Sequence, residues 1–313
     1  MTAMLPLRGV LVLSLAASAL SASDSPDWIA ALGARVSKDR AGNIVAVDLR
    51  GSWVYDSELI DLAKLPHLEK LDLSHTRISD EGMIYLRAAP EITDLNLYYA
   101  EQITDQGMSA IKDWKHLKRL NLRGTRISDG TLEIVSHLAQ LEALDIANTP
   151  VTDNGLDSLM TLINLKELSL GRRRESDNEV ELLRLLPTLT YLNLSGPSDA
   201  ERPDSTYRRA GESGPMRTDL VHAIADLKDL RVLKLGYTNI TADGLGILGA
   251  LRQVERLGLE ACPRIGDDAA AELASWKSLK YVDLQETKVT EKAADALRNA
   301  KPGLTILGGR VSQ

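Results

Sequence analysis

Acids, amides and hydroxyls recur at a fixed interval through most of this chain: Asp48, Asp72, Asn96, Asn121, Asp145, Ser169 and Asn193, then Lys234, Gly258 and Asp283. Two carboxylates side by side, as Asp48 and Asp72 become if the interval stacks them, are the residue types of acid–base hydrolysis, provided that burial or repulsion keeps one protonated. The neighbouring positions add Tyr98, Tyr99, Arg123, Tyr191, Tyr237 and Tyr281. Five of the chain's eight tyrosines are among them, and Tyr with Arg is the composition of a recognition surface. Other chemistry is sparse. His67, His75, His116, His137 and His222 share no metal-ligand spacing, no phosphate-binding glycine motif occurs, and Cys262 is the only cysteine. The reading therefore assigns no catalytic residue, no metal ligand and no cofactor.

The interval belongs to a repeat. The pattern L-x-x-L-x-L finds units at Ile44/Val47/Leu49, Leu68/Leu71/Leu73, Ile92/Leu95/Leu97, Leu117/Leu120/Leu122, Leu141/Leu144/Ile146, Leu165/Leu168/Leu170, Leu189/Leu192/Leu194, Leu230/Leu233/Leu235, Val254/Leu257/Leu259 and Leu279/Val282/Leu284, with a truncated unit at Leu304 and Leu307. They start 24 or 25 residues apart, with one step of 41. The alternation L-x-L is a short strand, and the following Thr-x-Ile-Ser/Thr-Asp-x-Gly leads into a short amphipathic helix. Ser or Thr before the Asp suits an N-cap, and Asp80, Asp105, Asp129 and Asp153 then fall in the first helical turn, where the macrodipole favours negative charge. One strand and one helix per 24 residues stack as a parallel coil.

Residues Leu117-Lys-Arg-Leu120-Asn-Leu122-Arg-Gly-Thr125-Arg-Ile127-Ser-Asp129 resemble the leucine-rich repeat family, in a 24-residue bacterial form of its cysteine-containing, F-box/RNI-like subclass. The resemblance covers residues 44–307. It implies an α/β fold: a right-handed solenoid with a parallel sheet on the concave face and short helices on the convex face. The family's turn position, usually Asn or Cys, is Ser52, Thr76, Ala100, Thr125, Thr149, Arg173, Pro197, Thr238, Cys262 and Thr287 here. A Thr hydroxyl there is expected to bond the neighbouring coil, and Cys262 is expected to be buried in the same row. The subclass also occurs in F-box substrate receptors, but no F-box precedes these repeats.

Residues 1–22 read as a signal peptide, because Arg8 is followed by an apolar run from Gly9 to Leu20 and then small residues. That run is short of the roughly 20 residues a membrane span needs, so the mature chain is expected to have no transmembrane segment and to be secreted, periplasmic or surface-exposed. Residues 23–43 supply a helix and hairpin cap, with Trp28, Leu32 and Val36 on one helix face, and 308–313 form a tail. Trp114 and Trp276 stand where other units carry Leu and are assigned to the core. The long step places seventeen surplus residues within 197–217, a polar insertion expected to be a mobile loop. Arg172, Arg173, Arg174, Arg208 and Arg209 there and in the preceding unit form a second candidate contact.

The formal charge of −7, without a basic block, argues against nucleic acid. The acid column is expected to lie on an open concave face with nothing to desolvate it, so no raised pKa is expected there. The expected function is a non-enzymatic binding module. Its concave face recognises a protein, with a glycan as the second ligand class. The alternatives are a structural envelope component, an F-box-like adaptor, and a hydrolase built on the Asp column.

Overall fold

The computed structural model describes residues 27–171, 177–196 and 214–309. Residues 1–22, read as a signal peptide, the arginines Arg172, Arg173 and Arg174, and Arg208 and Arg209 of the insertion lie outside the described residues.

Among the described residues, one sheet of twelve strands is laid down in sequence order. Its strands are β1 (Arg35–Lys38), β2 (Ile44–Asp48), β3 (Lys70–Asp72), β4 (Asp94–Asn96), β5 (Arg119–Asn121), β6 (Ala143–Asp145), β7 (Glu167–Ser169), β8 (Tyr191–Asn193), β9 (Val232–Lys234), β10 (Arg256–Gly258), β11 (Tyr281–Leu284) and β12 (Thr305–Gly308). β1 and β2 form an antiparallel hairpin, and every later pairing is parallel. The register sets equivalent repeat residues side by side, as in Leu71↔Leu95 and Asp48↔Asp72.

The helix α1 (Asp27–Ala31) precedes β1, and between the later strands lie α2 (Leu59–Leu62), α3 (Asp80–Leu86), α4 (Asp105–Met108), α5 (Asp129–Val135), α6 (Leu156–Leu159), α7 (Asp177–Leu185), α8 (Thr218–Ala225), α9 (Ala242–Leu248), α10 (Asp268–Ala274) and α11 (Glu291–Ala300). From α2 onward each helix packs on the helix of the next coil. The core between sheet and helices is one continuous cluster of Leu, Ile and Val rows, with Trp114 and Trp276 fully inside it. A coil this thin buries one aliphatic side chain per position, so it has no need of large rings.

A second network ties the coils together. Asp80 accepts from the backbone N–H of Thr104 at 2.8 Å and from its hydroxyl at 2.5 Å, and the same hydroxyl accepts from the N–H of Gln106 in the next helix. Asp56 holds Ser79, Asp105 holds Ser128, Asp129 holds Thr152 and Asp267 holds Thr290 in the same way. Ser or Thr is needed at this cap because a hydroxyl can donate to one coil and accept from another, whereas a carboxylate can only accept. The Gly of the D-x-G motif follows from the same contact. A Cβ on Gly107 would lie 2.4 Å from Asp80 Oδ1, and one on Gly155 would lie 2.3 Å from Asp129 Oδ1.

Four expectations change. The first helix ends at Ala31, and Val36 belongs to β1. Ile29, fully buried, replaces Trp28 as its anchor, and Trp28 is 38% exposed. Asp153 lies in a turn before the short α6 and not in a helical turn. The Thr hydroxyls of the turn row donate within their own coil, as Thr76 does to Leu73 O and Thr125 to Leu122 O, both at 2.6 Å. Buried Cys262 does reach the neighbouring coil, its Sγ donating to Leu235 O at 3.0 Å. Finally, the C-terminal end of the insertion is anchored: Met216 is buried, and Arg217 bridges Asp219 at 2.5 Å and Asp177 at 2.7 Å.

Candidate interaction surface

Three columns of side chains line the concave face, because alternate residues of each strand point out of the sheet. The central column, Asp48 through Asp283, was expected to be open and is instead buried. Asp48, Asp72, Asn96, Asn121, Asp145, Ser169, Asn193 and Asp283 are each at most 5% exposed. The cause is local. A carboxylate or amide oxygen here curls forward and accepts the N–H two residues on, capping the end of its own strand. Asp72 takes the N–H of Ser74, Asn96 that of Tyr98, Asn121 that of Arg123, Asp145 that of Ala147, Asn193 that of Ser195 and Asp283 that of Gln285. Side-chain bonds between coils add to this: Asn96 Nδ2 donates to Asp72 Oδ2 at 2.9 Å and Asn193 Nδ2 to Ser169 Oγ at 3.1 Å.

Where the column departs from this chemistry, another group takes over the N–H. Lys234 cannot accept, and the N–H of Gly236 bonds Ser195 Oγ at 3.0 Å. Gly258 has no side chain, and the carboxylate of Glu260 accepts its own backbone N–H.

The flanking columns carry rings and charged groups. Arg119 reaches across β6, over the small Ala143, to grip Glu167 with two hydrogen bonds of 3.0 and 2.9 Å. Lys234 Nζ lies 5.8 Å from the ring centre of Tyr191, and the Arg256 guanidinium lies 4.9 Å over Tyr281. On the other flank Tyr98 packs edge-on against His75 and Tyr99, with ring centres 5.0 and 4.7 Å apart. Tyr99 and Tyr237 occupy the left-handed turn that closes each strand, with φ of 52° and 57°. They stand on the rim. The Tyr99 ring lies against Gly124, where a Cβ would be 2.9 Å away, and its hydroxyl accepts from Asn148 at 3.2 Å.

Burial sets the electrostatics. It raises the carboxyls of Asp145 and Asp283, and it lifts Glu260 to about 7. It also lowers the Lys234 ammonium. Glu260 lies over Gly236 and Gly258, in space that any side chain at either position would fill. Glu260 does not figure in the sequence reading, and Lys234 figures there only as a member of the column. The available signal was the break in the column at Lys234-x-Gly236 and Gly258-x-Glu260.

No group of three or more His, Cys, Asp or Glu able to hold a metal occurs among the described residues. No described helix is long and apolar enough to cross a membrane.

Comparison with known proteins agrees with the fold. A family model described as Leucine Rich repeat matches residues 64–86. An internalin from Listeria monocytogenes superposes with a TM-score of 0.53 at 19% identity, covering 81% of this chain and 71% of its own. Yeast Rad7, solved in complex with Elc1, gives 0.52 at 22% identity, covering 81% and 72%. The Arabidopsis receptor kinase HAESA, solved with the peptide hormone IDA and the co-receptor SERK1, gives 0.50 at 20% identity, covering 82% of this chain but 40% of the receptor chain. No curated protein sequence matches. The repeat match and these neighbours support the leucine-rich repeat family, and the architecture is that of an α/β leucine-rich repeat solenoid.

Proposed function

We propose that this chain is an exported, non-enzymatic binding module that holds a protein partner on its concave face. The observation that carries the reading is the division of labour among the columns. The central polar row, Lys234 apart, is consumed by the sheet itself, which leaves Tyr98, Arg123, Tyr191, Arg256 and Tyr281 displayed on either side of it. Rigid aromatic and cationic side chains on a preorganised sheet recognise a partner at low ordering cost. The signal-like segment 1–22 supports export, and the protein complexes of Rad7 and HAESA support a partner of the same class.

The test is crosslinking of the chain lacking residues 1–22 to the host envelope, followed by mass spectrometry. Crosslinks are expected on the concave columns, and the double variant Tyr98→Ala with Tyr191→Ala should weaken the captured partner at least tenfold, about 1.4 kcal/mol. Crosslinks confined to the helices, or capture undiminished in the variant, overturn the assignment.

The hydrolase reading has one observation in its favour: Glu260, lifted to about 7, is within electrostatic reach of Asp283. A carboxyl near neutrality is what a general acid requires. Glycan or peptide hydrolysis that disappears in Glu260→Gln would establish it.

A further inference from the structure

The first coil departs from the repeat in one stretch. Later coils read Thr76-Arg77-Ile78-Ser79 and Thr125-Arg126-Ile127-Ser128, with the Ile buried and the Ser capping a helix. The first coil reads Ser52-Trp53-Val54-Tyr55. Val54 keeps the core position at 3% exposure, whereas Trp53 and Tyr55 on either side of it are 73% and 69% exposed. Position 55 has no preceding coil whose Asp could bind a cap hydroxyl, so the ladder releases it from being Ser or Thr. Release alone does not account for two large rings held in water, when Trp114 and Trp276 are fully buried.

The rings border a cleft of about 570 Å³ between the turn after α1, at Ala31, Leu32 and Gly33, and the first coil. Alternate residues of an extended segment project the same way, which sets Trp53 and Tyr55 roughly 6.6 Å apart. The Arg77 guanidinium sits 4.8 Å from the Trp53 ring centre on one face, and the high exposure of Trp53 leaves the other face open.

Polar groups around the rings are held in place. Arg50 is clamped by both oxygens of Asp48 at 2.8 to 3.1 Å. Glu58 Oε2 is fixed by the N–H of Tyr55 at 2.7 Å. Ser52 Oγ, buried in the cleft wall, has no hydrogen-bond partner among the described residues, although the Thr hydroxyls at 76, 125, 149, 238 and 287 all have one.

The lining carries one charge of each sign, Arg50 and Glu58, and Arg50 is already paired with Asp48, so the cleft selects no ion. Apart from the rings its apolar lining is Ala31 and Leu32, too little to seat an amphipathic helix. A ligand with flat apolar faces and a rim of hydroxyls fits such a surface, because its faces stack on the rings while its edges bond planar carboxylate, guanidinium and hydroxyl groups. We propose that this cleft binds a neutral oligosaccharide, with successive pyranose rings on Trp53 and Tyr55. The site is separate from the concave face and does not depend on the protein-binding reading.

The test is titration of the chain lacking residues 1–22 with cello-, malto-, chito- and xylohexaose, followed by tryptophan fluorescence and calorimetry. At least one series should give a saturable fluorescence change. Trp53→Ala and Tyr55→Ala should each reduce that affinity at least tenfold, with the unfolding midpoint unchanged because both rings are exposed. Tyr191→Ala should leave sugar binding intact, just as Trp53→Ala should leave capture of a concave-face partner intact. Three results overturn the proposal: no hexaose binds, a hexaose binds equally well without Trp53, or a proline-rich peptide occupies the two rings where no sugar does.

Discussion

At the scale of single residues, burial on the concave face has a measurable consequence at Glu260. Its carboxyl stands at about 7 in the folded chain, above the ordinary 4.5, because desolvation penalises the charged form. The folded state therefore binds more protons than the unfolded state between those values. The contribution is fully present below about pH 4.5 and is lost as pH rises through 7, worth on the order of 3 kcal/mol as an upper bound. Asp145 and Asp283, raised by the same cause, act in the same direction. Glu260→Gln should flatten this part of the profile and raise stability at pH 8 while changing little at pH 4.5. Urea midpoints at the two pH values measure it, and equal slopes in both proteins would remove Glu260 as the cause. The break in the column marked the place in the sequence, but not the burial, because the space for Glu260 depends on glycines 236 and 258 in two successive coils. The identities of the column residues were legible. Their burial was not, because an Asp that faces solvent and an Asp that caps its own strand look alike in a one-dimensional pattern.

At the scale of the element, strands and coil spacing could be read directly because each Leu row must meet its copy 24 or 25 residues on. The role of the motif's Asp was read only in part. A helix-dipole argument places it near an N-terminus, yet the partners of Asp56, Asp80, Asp105, Asp129 and Asp267 are in the next coil. Asp105 shows the difference. It accepts from the N–H groups and hydroxyls of both Ser128 and Thr131. Burial pushes its carboxyl up, but these bonds together outweigh it and hold it below the usual value. A depressed carboxyl gives stability that is present above the unfolded pKa and lost as pH falls through the folded one. Asp105→Asn replaces an acceptor oxygen by a donor facing donors, and should cost about 1–3 kcal/mol at pH 7, with the difference narrowing in strong acid. Asp157→Asn, the control, removes an exposed first-turn acid of α6 and should stay within about 0.5 kcal/mol. Denaturant unfolding of the two variants separates a coil-to-coil bond from a dipole effect, which would make their costs equal.

At the scale of the whole molecule, the long step in the repeat is the test of whether the stack is modular. β8 and β9 pair in the same register as their neighbours, Leu192 beside Leu233, although 41 residues separate them instead of 24. The ladder continues past the strands, with the N–H of Leu194 on Lys234 O and that of Gly196 on Gly236 O. Subtracting residues 197–213 restores a 24-residue coil in which buried Met216 takes the place of Ile127, and Arg217 that of the helix cap Ser128. The surplus is thus inserted between the turn and the next core position, where nothing on either side has to move to admit it. Because loop closure costs only about 0.6 kcal/mol per doubling of length, and a solenoid's stability is carried by neighbour contacts, removing the surplus should be close to neutral. The variant lacking 197–213 should unfold within about 1 kcal/mol of the parent and keep its concave-face partner. Loss of several kcal/mol would show that the insertion packs on the stack and that the coil is not modular there. Loss of capture with stability intact would place the insertion in the binding surface, the role anticipated for Arg208 and Arg209.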